Sequence, residues 1–423
     1  MKTEENFRGG DSALSAKSPR LVSLDALRGF DMFWILGADA LVYALGKMSS
    51  STPVSFLVGQ LTHKEWAGFA FYDLIFPLFV FIVGVSLVFS LPRTIAQHGR
   101  TAAVKRILLR AAILFLLGIF YNGGLTRAWP DVRIVGVLQR IALAYAAAGL
   151  LFCFFKPRVL AGAFAVLLAG YWALLTFVPI RDVQLERNAI VARFAPAAPA
   201  PGEKPPLPPL EKVRELYYNT TSTVTGRYDP GLNLANHFDF EHLPGGKYNT
   251  YWDPEGWLST LPAIATCLLG IFGGLLLRRS DLDETRKITR LAMGGGAALV
   301  LGWLWSFQFP IIKNLWTSSF VLVAGGWSLL LLAAFYYVVD VRHWRRWCQP
   351  FVWIGMNPIT LYLATSAVSF DRIARRFVGG DVALFFDRAI APGFGQLVIA
   401  LTTLSLLVLL AWFLHRRNIF LRV

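Results

Sequence analysis

Charge is what this chain has least of. Only 16% of its 423 residues are Asp, Glu, Lys or Arg, against 55% apolar, and the mean hydropathy is +0.51. A soluble protein of this length would hold two or three domains with charged surfaces. The composition excludes that and points to a polytopic membrane protein. Cysteine is scarce too: Cys153, Cys267 and Cys348 lie in or beside apolar runs, with no pattern of a disulfide framework or a metal knuckle. The first 20 residues are polar, without a hydrophobic core, so no cleavable signal peptide is expected. There is no GxxxxGK[ST] loop and no HExxH, which argues against ATP hydrolysis and zinc hydrolysis, and no GxSxG elbow. No metal is expected. Nor is there an internal repeat of the kind that marks many transporters.

What the chain does have is apolar sequence in lengths near the ~20 residues needed to cross roughly 30 Å of hydrocarbon. Ten such spans are read, at 24–46, 67–91, 102–121, 133–155, 158–178, 257–277, 287–307, 317–339, 349–369 and 392–414. The expected fold is all-α and polytopic, with ten transmembrane helices, or eleven if 370–391 also crosses. In that region Arg372, Arg375 and Arg376 mix with apolar residues, which favours a short interfacial helix. The net charge of +15 does not read as a nucleic-acid surface, because the basic residues cluster between spans: Arg93 to Arg110, Arg278 to Arg290, Arg342 to Arg346 and Arg416 to Arg422. That pattern puts both termini in the cytoplasm. The organisation expected is a cytoplasmic tail (1–22), five helices (23–178), an extracytoplasmic lid (179–256), five more helices (257–415) and a cytoplasmic tail (416–423). The Pro-rich run APAAPAPGEKPPLPPL reads as an extended spacer, and Tyr217 to Gly256 as an ordered lid.

Ionisable residues inside spans are expensive to insert and mark functional sites by default. Counting 1.5 Å per residue, Asp39 and Asp73 lie roughly 10 Å below the outer surface and Arg140 about 12 Å. An outer polar site lined by these three is expected, joined by Gln139 and Asn357. A purely structural pairing of Asp73 with Arg140 would leave Asp39 without a partner. His63, just outside span 2, titrates near neutral pH. Beneath it the carboxylates would raise imidazole basicity and fix its tautomer, as a general base requires. A neutral histidine also serves as an acyl-accepting nucleophile. At the inner end Asp25, Arg28 and Asp31 repeat at helical spacing. These residue types suit acyl transfer to a hydroxyl or amine. They equally suit a transporter or flippase for a sugar or lipid-linked glycan.

Six motifs in order then point to one family: SLDALRGFDMFW (Ser23 to Trp34), the stretch from His63 to Gly84, GVLQR (Gly136 to Arg140), YWDPEGWLSTLPA (Tyr251 to Ala263), PIIKNLWTSSFVL (Pro310 to Leu322) and GMNPITLY (Gly355 to Tyr362). Together they resemble the heparan-α-glucosaminide N-acetyltransferase family and its bacterial relatives, within the wider transmembrane acyltransferases. The resemblance implies transfer of an acetyl group from cytosolic acetyl-CoA to an amino sugar across the membrane, in a homodimer of a bacterial inner membrane. It implies that His63 is the active-site histidine, with Asp39 and Asp73 as catalytic partners; Asp39 falls where the lysosomal members carry asparagine. It places Arg28, Lys105 and Arg106 near the phosphates of acetyl-CoA, with Arg140 at the level of its thioester. Asn233, His237, Asp239, Asp253 and Glu255 would contact the sugar, with Lys313 and Asn357. A helix-capping turn explains Glu255 of DPEG as well, and an interface anchor explains Lys313 and Trp316.

Overall fold

The apolar spans fold as helices, and their irregularities decide where the polar groups meet. The computed structural model describes residues 21–194 and 206–420. The tail 1–20, most of the Pro-rich spacer and residues 421–423 lie outside the described residues. Helix α1 (Val22–Phe33) passes through a π-turn, Trp34–Ala38, into α2 (Asp39–Met48). Gly37 in that turn has φ 112, a left-handed conformation that costs glycine nothing, and the wide turn re-aims α2. A short helix, α3 (Thr52–Gln60), then leads to the loop carrying His63.

Helix α4 (Phe71–Tyr121) is one run of 51 residues that holds two passes. Gly99, at φ 79 and ψ 171, reverses it. Leu87 and Ile107 both come within 3.5 Å of the Cβ position of Gly149, whereas a straight helix would hold them about 30 Å apart. The Arg106 guanidinium also donates to Thr94 Oγ1 at 3.0 Å across the bend. Spans 67–91 and 102–121 therefore form a hairpin. The next two spans are α5 (Val137–Phe154) and α6 (Pro157–Phe177).

The large loop that follows is ordered around its own apolar cluster of Val183, Leu185, Ile190, Val213, Tyr217, Phe240, Tyr251 and Trp252. It contains α7 (Arg187–Phe194), α8 (Leu210–Asn219) and α9 (Leu234–His242), with β1 (Ile180–Arg181) antiparallel to β2 (Thr223–Val224). Beyond it run α10 (Trp257–Arg278), α11 (Glu284–Trp305) and α12 (Ser318–Phe335). The ninth expected span is broken into α13 (Gln349–Met356) and α14 (Pro358–Ala367) at Asn357, because Pro358 cannot continue the helix. Two helices of nine residues each, α15 (Phe370–Val378) and α16 (Asp381–Ala389), fill region 370–391. At about 13 Å each, neither is long enough to cross on its own. Helix α17 (Phe394–Arg416) completes the bundle.

Among the described residues eight helical runs are long and apolar enough to cross a membrane, counting the α4 hairpin once. This is an integral membrane architecture. Ser23 N–H donates to Asp340 Oδ2 at 3.1 Å, and the Asn357 amide to Ile419 O at 3.0 Å. Both ends of the described chain thus lie on one face, with Arg28 and Arg106; the lid covers the other.

Candidate active site

His63 is held from three sides. Its loop pairs with the α11–α12 connection through Gly68 N–H to Ile311 O at 2.8 Å, and Trp66 Nε1 donates to Tyr228 O of the lid at 2.7 Å. This pairing brings Lys313, 250 residues away, to the imidazole: its Nζ stands 2.9 Å from Nδ1 and 3.1 Å from Nε2. From below comes Asp73, in the first turn of α4. Its Oδ2 accepts from Ala70 N at 3.1 Å and Lys64 N at 3.3 Å, a helix-capping role. That fixes Oδ1 to face His63 Nδ1 at 2.9 Å and Lys313 Nζ at 3.5 Å. The cap therefore orients the carboxylate and the carboxylate orients the imidazole. Lys313 comes from the connection between α11 and α12, and its side chain is 22% exposed.

Asp39 joins this group at one remove. Tyr72 donates to Asp39 Oδ2 at 3.1 Å, and its ring lies 4.6 Å from the imidazole at 30°. Asp39 and the His63–Asp73 pair are thus linked by a tyrosine that sequence reasoning passed over. Its adjacency to Asp73 was the available signal.

Arg140 is placed elsewhere, against expectation. Its guanidinium donates to Pro254 O at 2.8 Å and to Ser259 Oγ, and lies 4.8 Å from the Trp316 ring centroid. It supports the DPEG turn and contacts neither Asp39 nor Asp73. A depth counted along a helix carries no azimuth, so it does not say which neighbours a side chain meets. Trp316 is fully buried and donates to Thr266 Oγ1 at 3.0 Å, so it is a core residue rather than an interface anchor. Gln139 packs against Gly118 of the α4 hairpin. Asn357, bonded to Ile419 O, lies toward the basic face.

The lid residues divide. Asn233 caps α9, accepting from Asn236 N at 2.9 Å. His237 is buried beside Tyr217 Oη at 3.1 Å, and burial pushes its pKa down to about 4. Asp239 accepts from Trp257 N and Asp253 N, and burial raises its carboxyl to about 7. Asp253 is clamped by Arg133 through two 2.7 Å bonds. That guanidinium keeps Asp253 below the usual carboxylate range despite burial. Glu255 accepts from the same guanidinium at 2.7 Å, is raised by burial and lies in the wall of the His63 cavity. Of the lid set, Glu255 is the one with a side chain in that wall. Arg133, at the first position of the expected span 133–155, was not singled out in the sequence.

Two cavities meet in the bundle. The outer one, of about 310 Å³, is walled by His63, Tyr72, Lys313 and Glu255 and floored by apolar side chains such as Met32, Ile35 and Phe76. The inner one, of about 530 Å³, is lined by Arg28, Arg106 and Arg110, with Asp25, Ser86 and Ser90. Phe79, Ile141, Pro358 and Ile359 line both, so the two cavities adjoin at these side chains. Arg28 donates to Ser86 Oγ at 2.8 Å and to Asp25 Oδ1 at 3.1 Å. Lys105 is exposed and does not line this cavity; Arg110, one turn beyond Arg106, does. No cluster of metal-ligating groups occurs among the described residues.

Fold and site together define a polytopic helical membrane protein with a His–carboxylate–lysine cluster on one face and an arginine-lined cavity on the other. Comparison with known proteins shows what the chain is similar to. Residues 20–185 match the family model described as "Heparan-alpha-glucosaminide N-acetyltransferase, catalytic", a stretch that includes Asp39, His63, Asp73 and Arg140. The chain is 30% identical over 329 residues to the heparan-alpha-glucosaminide N-acetyltransferase of Mus musculus, covering 71% of this chain and 48% of the relative. It is 26% identical over 450 residues to that of Homo sapiens, covering 97% of this chain and 61% of the relative. The resemblance drawn from the motifs is borne out at modest identity: the chain is similar to members of that family. It spans about half to three-fifths of the length of these curated relatives.

Proposed function

We propose that this protein is a transmembrane acetyltransferase that takes the acetyl group from cytosolic acetyl-CoA and delivers it to an amine or hydroxyl of a glycan on the lid side. The observation that carries this reading is the pair of cavities sharing Phe79, Ile141, Pro358 and Ile359, with arginines below and His63 above. In this reading the chain crosses the membrane ten times, with both termini cytoplasmic, and sits in a bacterial inner membrane. The basic clusters support that orientation. Phosphates of CoA are held by Arg28, Arg106 and Arg110, whose charge suits anionic oxygens. The pantetheine arm passes the four-residue septum, and the thioester stands beneath His63.

The chemistry then needs a base and a stabilised oxyanion. Asp73 accepts from Nδ1–H and leaves Nε2 as the proton acceptor. The incoming amine displaces Lys313 from that nitrogen, gives its proton to Nε2 and attacks the thioester carbon. Lys313, freed, faces the developing oxyanion. The C–S bond breaks, and the proton on His63 passes to the CoA thiolate. Acetylated acceptor and free CoA leave by opposite faces. Glu255 and Arg133 border the acceptor's entry.

The test is purified protein in nanodiscs supplied with labelled acetyl-CoA and glucosamine. Transfer is expected, and His63→Ala should lower its rate about 10²–10⁴-fold, the usual share of a general base, while acetyl-CoA binding persists. A protein that binds no acetyl-CoA would sink the proposal and leave a sugar transporter as the better reading.

A further inference from the structure

The wall beside His63 has the character of a lipid-facing surface. Residues 48–62, MSSSTPVSFLVGQLT, contain no charged side chain. None of the nine residues of α3 is buried, and Phe56 and Leu57 are 64% and 47% exposed. In water such a helix would be an unexplained apolar patch.

Its depth supplies the explanation. Helix α3 folds back along α2: Val58 Cγ2 lies 2.8 Å from the Cβ position of Gly46, and Tyr43 Oη donates to Leu61 O at 2.8 Å. The tip of this hairpin is level with the end of a span, because Lys47 and Met48 touch Gly393, the residue before α17. From that level α2 descends ten residues, about 15 Å, to Asp39. Asp39 bonds Tyr72, and Tyr72 lies against His63. The imidazole is therefore recessed roughly a dozen ångströms below the end of α17, yet its side chain is 49% exposed. A soluble sugar would have to descend past Val54, Phe56 and Leu57. An amphiphile would slide along them.

We infer that the acceptor is membrane-anchored: an amino sugar headgroup on a hydrocarbon chain, held in the outer leaflet and presented to His63 along the α2–α3 hairpin. This rests on the acetyltransferase reading and names the substrate class of that site. The outer leaflet is the occupant of the exposed α3 face. Its surface continues that of α17, against which α2 packs and which also leaves apolar side chains, Leu401 and Leu409 among them, uncovered. The neighbouring cavity floor of Met32, Ile35 and Phe76 is apolar as well.

The experiment compares dodecyl and methyl 2-amino-2-deoxyglucosides as acceptors of labelled acetyl-CoA in nanodiscs. The dodecyl compound should show a kcat/KM at least 10-fold higher. The double variant Phe56→Ser with Leu57→Ser should lose most of that preference while acetylating the methyl glucoside at the wild-type rate, which also shows that it folds. Equal kcat/KM for the two acceptors, or a preference that survives the double variant, overturns the inference and leaves the acetyltransferase reading standing. Acetylation of neither compound, with no acetyl-CoA turnover, overturns the reading beneath it. Efficient disulfide formation between two copies of Phe56→Cys would show that a second copy of the chain covers α3, and would overturn the inference too.

Discussion

Asp73 does two jobs with two oxygens, and the division can be tested. Oδ2 caps the start of α4 and Oδ1 meets His63 and Lys313. Asparagine keeps an acceptor for the Ala70 N–H but loses the charge that would stabilise a protonated imidazole. Asp73→Asn should therefore leave thermal stability near wild type and reduce acetyl transfer about 10²–10⁴-fold. A variant that unfolds instead would show that the carboxylate acts as a cap alone. At this scale much was legible in the sequence. His63 and Asp73 are ten residues apart, and a buried acid near an interfacial histidine is a local signal. Lys313 was legible only as a residue near the mouth, since nothing local ties it to His63. Arg140 was misjudged because its partners, the Pro254 carbonyl and Ser259, are a backbone atom and a neutral side chain. Charge counting cannot find either.

The helices that carry the site cross at glycines. A Cβ on Gly84 would stand 2.0 Å from Cys267 O, and one on Gly270 2.0 Å from Phe81 O, so α4 and α10 touch backbone to backbone. Neither carbonyl can yield as a side chain would, and overpacking costs typically 1–3 kcal/mol even where neighbours do shift. Gly84→Ala should therefore lower the melting temperature by several degrees or more, whereas Gly162→Ala, with nothing within 4 Å, should not. Equal stability of the two would mean that the crossing is looser than it looks. The lid has a different weakness. Asp239 has its folded pKa raised from 3.8 to about 7 by burial. A raised acid contributes stability that is complete below the unfolded pKa and is lost as pH rises through the folded one. Wild-type lid protection, read by hydrogen exchange corrected for intrinsic rates, should fall between pH 5 and pH 8, and Asp239→Asn should flatten that slope. An unchanged slope would place the titration elsewhere. Span positions were readable because apolar runs near twenty residues have one explanation. The reversal at Gly99 was readable only as a gap between spans, and the break at Asn357 was hidden because hydropathy does not register backbone geometry.

Across the whole molecule, the proposed reaction depends on a passage between two cavities that adjoin at four shared side chains. Phe79 and Ile141 come from α4 and α5, Pro358 and Ile359 from the start of α14, where the helix has just broken at Asn357. Arginines and imidazole thus sit on opposite sides of an apolar septum. A thin, flexible pantetheine arm suits it far better than a hydrated sugar. Filling the septum separates binding from chemistry. Ile141→Trp should leave acetyl-CoA bound at the inner cavity, within about threefold of the wild-type Kd, because Arg28, Arg106 and Arg110 are untouched. It should reduce transfer by at least the 10² expected when a reacting group is held out of position. Calorimetry for binding and the labelled-acetyl assay for transfer read the two effects separately. Loss of both together would mean that the nucleotide itself occupies the septum region. Undiminished transfer would mean that acetyl-CoA reaches His63 by another route, and the two cavities would then be unrelated spaces.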